Sequence, residues 1–391
     1  MSSSLGFSVP FFKSMFSMHP RRQLKEMYVF LLLFSFAASL ITIFEPVYFY
    51  QAGFSLSLIA AYYGLHYTVY VLLMPFGAKF AARFGYERSL TASTPIFVFY
   101  FLLLASLAMM PVLFWVAPIV LAFFKILYWP AYHANFSAFA DVKNRGTEQS
   151  WIRMVTYGAG VIGPTIGGLL VISFGFPALF ILAAAVVAVA GIPLLRTKER
   201  SSIKKFSYAS AWRIILAKRH RRMVLSMIGW GENLVHLVFW PIFIFLIVES
   251  DLVLGLIASL SMLATAIWGF FIGELTDRWS PRRVLRLFVP LTAASYIFRA
   301  LSGAPLAIVG ADAYARIMQT SVSIPFVAKL YGTGRSAGAL QYAVAFEIVL
   351  AIVKGLFAWA LALLFLYVAA PMGFMIMFAV AGALAFFYLF L

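Results

Sequence analysis

The 391-residue sequence contains no cysteine. That absence excludes disulfides, thiolate metal sites and cysteine nucleophiles. Charge is scarce as well: Asp, Glu, Lys and Arg make up 11% of the chain, against about 25% in soluble domains. Acidic residues number only 13. There is no Gly-x-x-x-x-Gly-Lys-Ser/Thr phosphate loop, no His-Glu-x-x-His and no Gly-x-Ser-x-Gly, so nothing points to ATP-driven pumping or to hydrolytic catalysis. No polar stretch is long enough for a soluble catalytic domain. An enzyme is not expected, and neither is a resident metal or cofactor. Residues 1–25 lack a long apolar core ahead of a small-residue cleavage site, so they do not read as a signal peptide.

Apolar residues fill the space that charge leaves. The chain is 64% hydrophobic and 18% aromatic, with a mean hydropathy of +0.96. A soluble globule of this composition would expose large apolar patches, and a disordered chain would not carry so much apolar surface. Spans of ~20 residues would use the roughly 250 apolar residues in about twelve crossings. Apolar runs and their breaks predict twelve: 27–48, 56–79, 90–109, 112–136, 153–174, 177–195, 223–247, 254–275, 284–302, 304–328, 337–366 and 369–390. These are spans 1 to 12 below.

The net charge of +17 would suit a nucleic-acid binder, but its placement does not. All but four of the 30 Lys and Arg residues fall in the N-terminal segment or in alternate breaks: Lys13 to Lys25, Lys79 to Arg88, Lys143 to Arg153, Arg196 to Arg222, Arg278 to Arg286, and Lys329 with Arg335. The intervening breaks hold no Lys or Arg; one of them carries Glu249 and Asp251. By the positive-inside rule the basic side is the cytoplasm, which places both termini there in a multi-pass cytoplasmic membrane protein. Phe11, Phe12, Met15 and Phe16 beside Lys13, Arg21 and Arg22 suggest an interfacial segment over 1–26. The basic linker 197–222 separates six spans (27–196) from six (223–391). From Phe206 to Met223, Trp212, Ile214, Ile215 and Leu216 alternate with Arg213, Lys218, Arg219, Arg221 and Arg222. That pattern fits an amphipathic helix on anionic lipid or, equally, a linker that merely obeys the charge rule.

The halves repeat one another. After span 8 comes Gly273-Glu-Leu-Thr-Asp277-Arg278-Trp-Ser-Pro-Arg282-Arg283, and after span 2 Gly77-Ala-Lys-Phe-Ala-Ala-Arg83-Phe-Gly85-Tyr-Glu-Arg88. These loops resemble the Gly-x-x-x-Asp-Arg-x-Gly-Arg-Arg signature of the major facilitator superfamily. Ser280 replaces a glycine in the second copy; in the first, Ala82 stands in place of the aspartate and Gly77 lies one residue early. Span 5 carries Gly163-Pro164-Thr-Ile-Gly167-Gly168, similar to a segment frequent in the family's exporters; in any membrane bundle such small residues also serve close helix packing. The resemblance implies an all-α membrane protein: two pseudo-symmetric six-helix bundles with a substrate cavity between them near the midplane, opening alternately to each side.

The four remaining cations are Lys125, Arg299, Arg316 and Lys354. Arg299 is close to the outer end of span 9 and is expected to snorkel. The other three lie deep, where a charge costs about 2.5–3.5 kcal/mol or more and therefore faces the bundle interior. Lys125 and Arg316 occupy equivalent positions of spans 4 and 10, so they are expected to face each other across the cavity. Both are similar to the family's span-4 arginine, with which proton coupling or a substrate charge is associated; Arg316 is followed by Gln319. The acids within the spans are Glu232, Asp312 and Glu347, with Glu45 shallower, before Pro46 at the outer end of span 1. Asp312 and Arg316 sit at i, i+4 and can pair; Glu347 and Lys354 sit at i, i+7. Glu232, His236 and Trp240 align on one face of span 7, beside Asn233, and Gly229, Gly231 and Pro241 are positioned to break that helix. A carboxylate beside an imidazole can bind a proton, or simply stabilise a kink. Tyr128 and Trp129 adjoin Lys125. His66 and His133 are weaker candidates, His133 toward the cytoplasmic mouth.

The sequence thus predicts a secondary transporter of a small organic solute. Lys125, Arg316, Tyr128, Trp129, Gln319, Trp240 and Lys354 are the substrate residues, and Glu232, His236, Glu347 and Asp312 the proton-coupling candidates. Drug-like efflux, uptake of a small anionic nutrient and a non-transporting scaffold or sensor are the alternatives. Membrane lipid, a small solute and H+ are the expected partners, nucleic acid is not, and a monomer is expected.

Overall fold

The breaks between spans are made by residues that stop helices. Ser55 and Ser250 cap equivalent helices, each accepting a backbone N–H three residues on, from Leu58 at 3.3 Å and Val253 at 3.4 Å. Pro281 and Pro305 stand at the first helical position, where a missing N–H costs nothing. Gly85, Gly175 and Gly338 turn the chain with φ of 101°, 79° and 95°, a region side chains avoid.

The computed structural model describes residues 22–139, 145–195 and 206–391. Span 1 is Arg22–Ile41 continued by Phe44–Gln51; spans 2 to 4 are Leu56–Phe84, Tyr86–Ala105 and Leu113–Phe139. Arg145–Leu195 holds spans 5 and 6, divided at Gly175. Span 7 is built from Arg221–Ile228, a tight turn Gly229–Glu232, a wide turn Val235–Phe239 and Trp240–Val248. Spans 8 to 12 are Asp251–Arg278, Pro281–Leu301, Pro305–Ala337, Ala339–Tyr367, and Ala370–Ala385 with its extension Phe386–Phe390. Among the described residues, ten helical stretches have the length and apolarity to cross a membrane. One of them, Thr156–Leu195, is long enough for two crossings. Span 10 is not among the ten, and Asp312 and Arg316 lie within it. Residues 1–21 of the interfacial segment expected over 1–26, linker residues 196–205 and the side chain of Asp277 lie outside the described residues, and residues 22–26 begin the helix of span 1.

The linker forms a helix at Tyr208–Leu216. Ala211 and Ile214 are buried on a face that packs against span 11, and Leu216 is exposed.

Small residues set how closely the spans approach. A Cβ on Gly77 would stand 2.1 Å from the Ile126 carbonyl oxygen, so spans 2 and 4 touch backbone to backbone. The segment Gly163–Gly168 presents two such faces. Gly163 and Gly167 sit on Ser39, Leu40 and Phe44 of span 1. Gly168 meets the backbone of Asp251 and Leu252 on span 8, and the Pro164 carbonyl lies against Gly255. Thr165 adds hydrogen bonds from its N–H (3.1 Å) and its hydroxyl (2.8 Å) to Ser259 Oγ. Spans 5 and 8 thereby join the two halves. Spans 2 and 11 make a second junction, with Ser57 donating to the Ala362 carbonyl (2.7 Å), Gly64 against Trp359 and Gly355 against Tyr67. At the end of the bundle away from the basic loops, Gln51 of span 1 donates to both Asp251 oxygens (2.9 and 3.2 Å).

Candidate functional site

Among the described residues, three polar clusters stand out in the interior. The first is organised by the irregular span 7. Gly229 and Gly231 permit the tight turn, and Pro241, lacking an N–H, leaves the preceding turn to widen. Glu232 is 1% exposed. Its carboxylate accepts from the Tyr296 hydroxyl of span 9, from Gln319 Nε2 (3.2 Å) of span 10 and from the Tyr388 hydroxyl (3.3 Å) beyond span 12. His236 has a different partner: Arg299 Nη2 lies 2.8 Å from His236 Nδ1. A guanidinium only donates, so Nδ1 accepts and the ring proton is assigned to Nε2. No direct bond joins Glu232 to His236 among the described residues; span 9 links them, Tyr296 reaching Glu232 and Arg299 reaching His236.

Arg299 does not snorkel. It is 2% exposed, and its guanidinium carbon lies 4.9 Å from the ring centroids of both Trp240 and Tyr296. Ile297 and Phe298 form the exposed side of span 9, which turns position 299 inward. Proximity to the helix end suggested an escape route, but helical phase decided the direction.

The second cluster is an ion pair. Asp312 is fully buried; it accepts Arg316 Nε at 2.8 Å and Trp240 Nε1 at 2.8 Å. Arg316 is therefore held on its own helix. Its sequence-expected counterpart, Lys125, makes its own contact in another cluster.

The third cluster crosses the junction of the two halves. Lys125 Nζ of span 4 lies 5.3 Å from the Tyr67 ring centroid, and Lys354 Nζ of span 11 lies 5.8 Å from the same ring. Lys354 also donates to Asn233 Oδ1 at 2.8 Å. Glu347, one face of span 11 with Lys354, is 3% exposed. It accepts the Tyr70 hydroxyl at 2.9 Å and lies 3.0 Å from His133 Nε2. Trp129 stacks on His133 with centroids 5.5 Å apart. Tyr128 is buried in ring packing with Phe34 (4.7 Å), Phe124 (5.2 Å) and Trp129 (5.1 Å), part of the hydrophobic core of the first half. Glu45 accepts from Tyr63 at 2.8 Å and lies within electrostatic reach of Lys125. His66 is buried, its Nδ1 3.2 Å from the Pro118 carbonyl.

The sequence alone ranked His133 among the weaker candidates without pairing it with Glu347, and did not point to Tyr67 or Tyr70. The spacing of Tyr67 and Tyr70 places both on one face of span 2, but 19 tyrosines in the chain hide that signal.

The signature loops lie at the basic end. Arg278 pairs with Glu274 one turn earlier, and Arg282 Nε donates to the Leu391 carbonyl at 2.9 Å. Arg83 is exposed over the Phe84 ring, Gly85 makes the turn into span 3, and Gly273 has open space around it.

The model of the Major Facilitator Superfamily matches residues 27–346. The chain belongs to the Major Facilitator Superfamily. Solved structures of transporters share its fold. The Escherichia coli fucose:proton symporter FucP, in an Asn-to-Ala variant, is 16% identical with a TM-score of 0.64, covering 94% of this chain and 97% of its own. The Major Facilitator Superfamily transporter FucP in the outward conformation is 16% identical with a TM-score of 0.66, covering 94% of this chain and 99% of its own. A POT family transporter in complex with 5-aminolevulinic acid is 14% identical with a TM-score of 0.70, covering 93% of this chain and 95% of its own. No curated protein matches. The twelve-span architecture and a multi-pass membrane location follow from the family and the apolar helices, and the chain is a superfamily transporter.

Proposed function

We propose that this transporter couples a small organic solute to protons in the cytoplasmic membrane. Two six-helix bundles, 27–196 and 223–391, rock about a site between them, with both termini and the basic loops in the cytoplasm. The observation that carries the reading is the placement of Glu347. It belongs to the second bundle, yet its two oxygens meet Tyr70 and His133 of the first. When the bundles part, those partners are exchanged for water or solute, so the environment that sets its proton affinity changes with conformation. Glu232 differs in this respect. Tyr296, Gln319 and Tyr388 all belong to its own bundle and move with it. Glu347 is therefore the stronger coupling residue, with His133 beside it to pass the proton, while Glu232 and His236 brace the broken span 7.

A non-transporting scaffold would need every buried cation neutralised. Asp312 neutralises Arg316, but among the described residues Lys125 meets a tyrosine ring and no hydrogen-bond acceptor. The efflux-like segment of span 5 serves contacts with spans 1 and 8 that transport in either direction requires.

The reading is tested with purified protein in proteoliposomes that trap a pH-sensitive dye. A library of small sugars, amines, amino acids and organic acids is added outside. Solute-dependent proton movement into or out of the lumen, absent from empty liposomes, is the expected result. A solute carried without any proton movement would refute the coupling.

A further inference from the structure

Two ammonium groups, one from each half of the protein, converge on a single aromatic ring. Lys125 and Lys354 lie 5.3 and 5.8 Å from the Tyr67 ring centroid. Like charges gathered in a low-dielectric interior repel strongly, and a buried cation calls for an acceptor. The ring face satisfies each only in part. Lys354 has Asn233 Oδ1 in addition; Lys125, half-buried, has no hydrogen-bond acceptor among the described residues. Glu45 and Glu347 are within electrostatic reach of Lys125 but are held by other donors, Glu45 by Tyr63 and Glu347 by Tyr70 and His133. Two ammonium groups thus retain donors that the protein leaves unmatched. Beside them are rings, half-buried at Trp129, His133 and Trp230 and buried at Phe346: Trp129 stacks on His133, His133 lies against Phe346 (5.7 Å), and Phe346 against Trp230 (6.1 Å).

We propose that Lys125 and Lys354 clasp the carboxylate of a small organic acid, one ammonium from each half, with the acid's apolar body against Trp129, Phe346 and Trp230. This deepens the transport reading and rests on it. The local charge count gives the rest. Glu45 and Glu347 balance Lys125 and Lys354, and Glu232, also within electrostatic reach of Lys354, is balanced by Arg299, so adding one carboxylate leaves a surplus negative charge inside the protein. A single proton on Glu347 removes that surplus. The groups facing Glu347 are Tyr67 and Tyr70 of span 2, Lys125 and His133 of span 4, and Lys354 of its own span. Neutralising Glu347 frees both lysines from a competing anion, so acid and proton bind together and cross together as an electroneutral pair. A dianion would need a second proton and is disfavoured.

The test is thermal unfolding of the full chain in detergent, read by tryptophan fluorescence. The probes are straight-chain monocarboxylates of two to eight carbons, benzoate, phenylacetate and indole-3-acetate, with their neutral amides and phenyl phosphate for comparison. At least one acid is expected to raise the melting temperature, more at pH 6 than at pH 8, while its amide does not. Lys125→Gln and Lys354→Gln should each weaken that acid at least tenfold, and Arg283→Gln, exposed over Trp279, should not. Where a Gln variant is not monodisperse, the acid-against-amide comparison on the unaltered chain decides. Equal stabilisation by acid and amide, stabilisation by the phosphate alone, no stabilisation by any acid, or unchanged affinity in the folded Gln variants would each overturn the proposal. Acid binding without proton movement in liposomes would instead sink the coupling reading and leave this site standing.

Discussion

Replacing Glu347 by Gln separates binding from driving force. The side chain keeps its size, and its amide oxygen can still accept from Tyr70. What is lost is the charge and the site for a proton. Hydrogen bonds to charged groups contribute about 1.5–3 kcal/mol and neutral ones about 0.5–1.5. The junction through Tyr70 and His133 should therefore weaken by roughly 1–2 kcal/mol, a shift of about 5- to 30-fold between conformations rather than a loss of fold. The effect on accumulation is larger in kind. One proton carried per solute down a gradient of one pH unit supplies about 1.4 kcal/mol, which is about tenfold accumulation of an electroneutral pair. The Gln variant should show none, whatever gradient is imposed. The assay compares two modes in the same proteoliposomes: uptake against an imposed pH gradient, and exchange at equal pH on both sides. Exchange should stay within about 30-fold of the unaltered protein while accumulation falls to equilibrium. A Glu347→Gln variant that still concentrates solute about tenfold would refute the assignment and move the coupled proton elsewhere.

Removing one partner of the buried pair in span 10 should be costly: Asp312→Asn leaves Arg316 uncompensated and should lower stability by about 3–5 kcal/mol, with the double change Asp312→Asn, Arg316→Gln recovering part of it in a thermal-unfolding cycle. Arg299→Lys should destabilise despite keeping the charge, because the planar guanidinium packs on both the Trp240 and Tyr296 rings; an unchanged melting temperature would contradict that packing. A Cβ at Gly255 would stand 2.3 Å from the Pro164 carbonyl, so Gly255→Val should loosen the junction of spans 5 and 8, seen as faster amide exchange at both helices. Reporter fusions at Arg200 and Glu249 should report opposite compartments, Arg200 the cytoplasm; the same compartment for both would undo the proposed orientation.

Much of the architecture was legible in one dimension because a bilayer imposes it. Each crossing needs about 20 apolar residues, and each basic break marks a side, so run lengths and Lys/Arg positions sufficed for twelve spans. The breaks themselves were local chemistry, such as Ser55, Ser250 and Gly85. The i, i+4 pair Asp312–Arg316 was equally local, since both ends ride one helix. Which buried charges meet across helices was another matter. Lys125 and Arg316 hold matching places in the repeat, yet Arg316 is held by its own Asp312 while Lys125 shares Tyr67 with Lys354. Arg299 turned inward on the phase of span 9, and Glu347 reached Tyr70 and His133 over sequence separations of 277 and 214 residues. Side-chain type and depth are properties of a single helix and can be read from its sequence. The rotation of each helix against its neighbours depends on all the packing contacts at once, and that rotation decided which charges share a site.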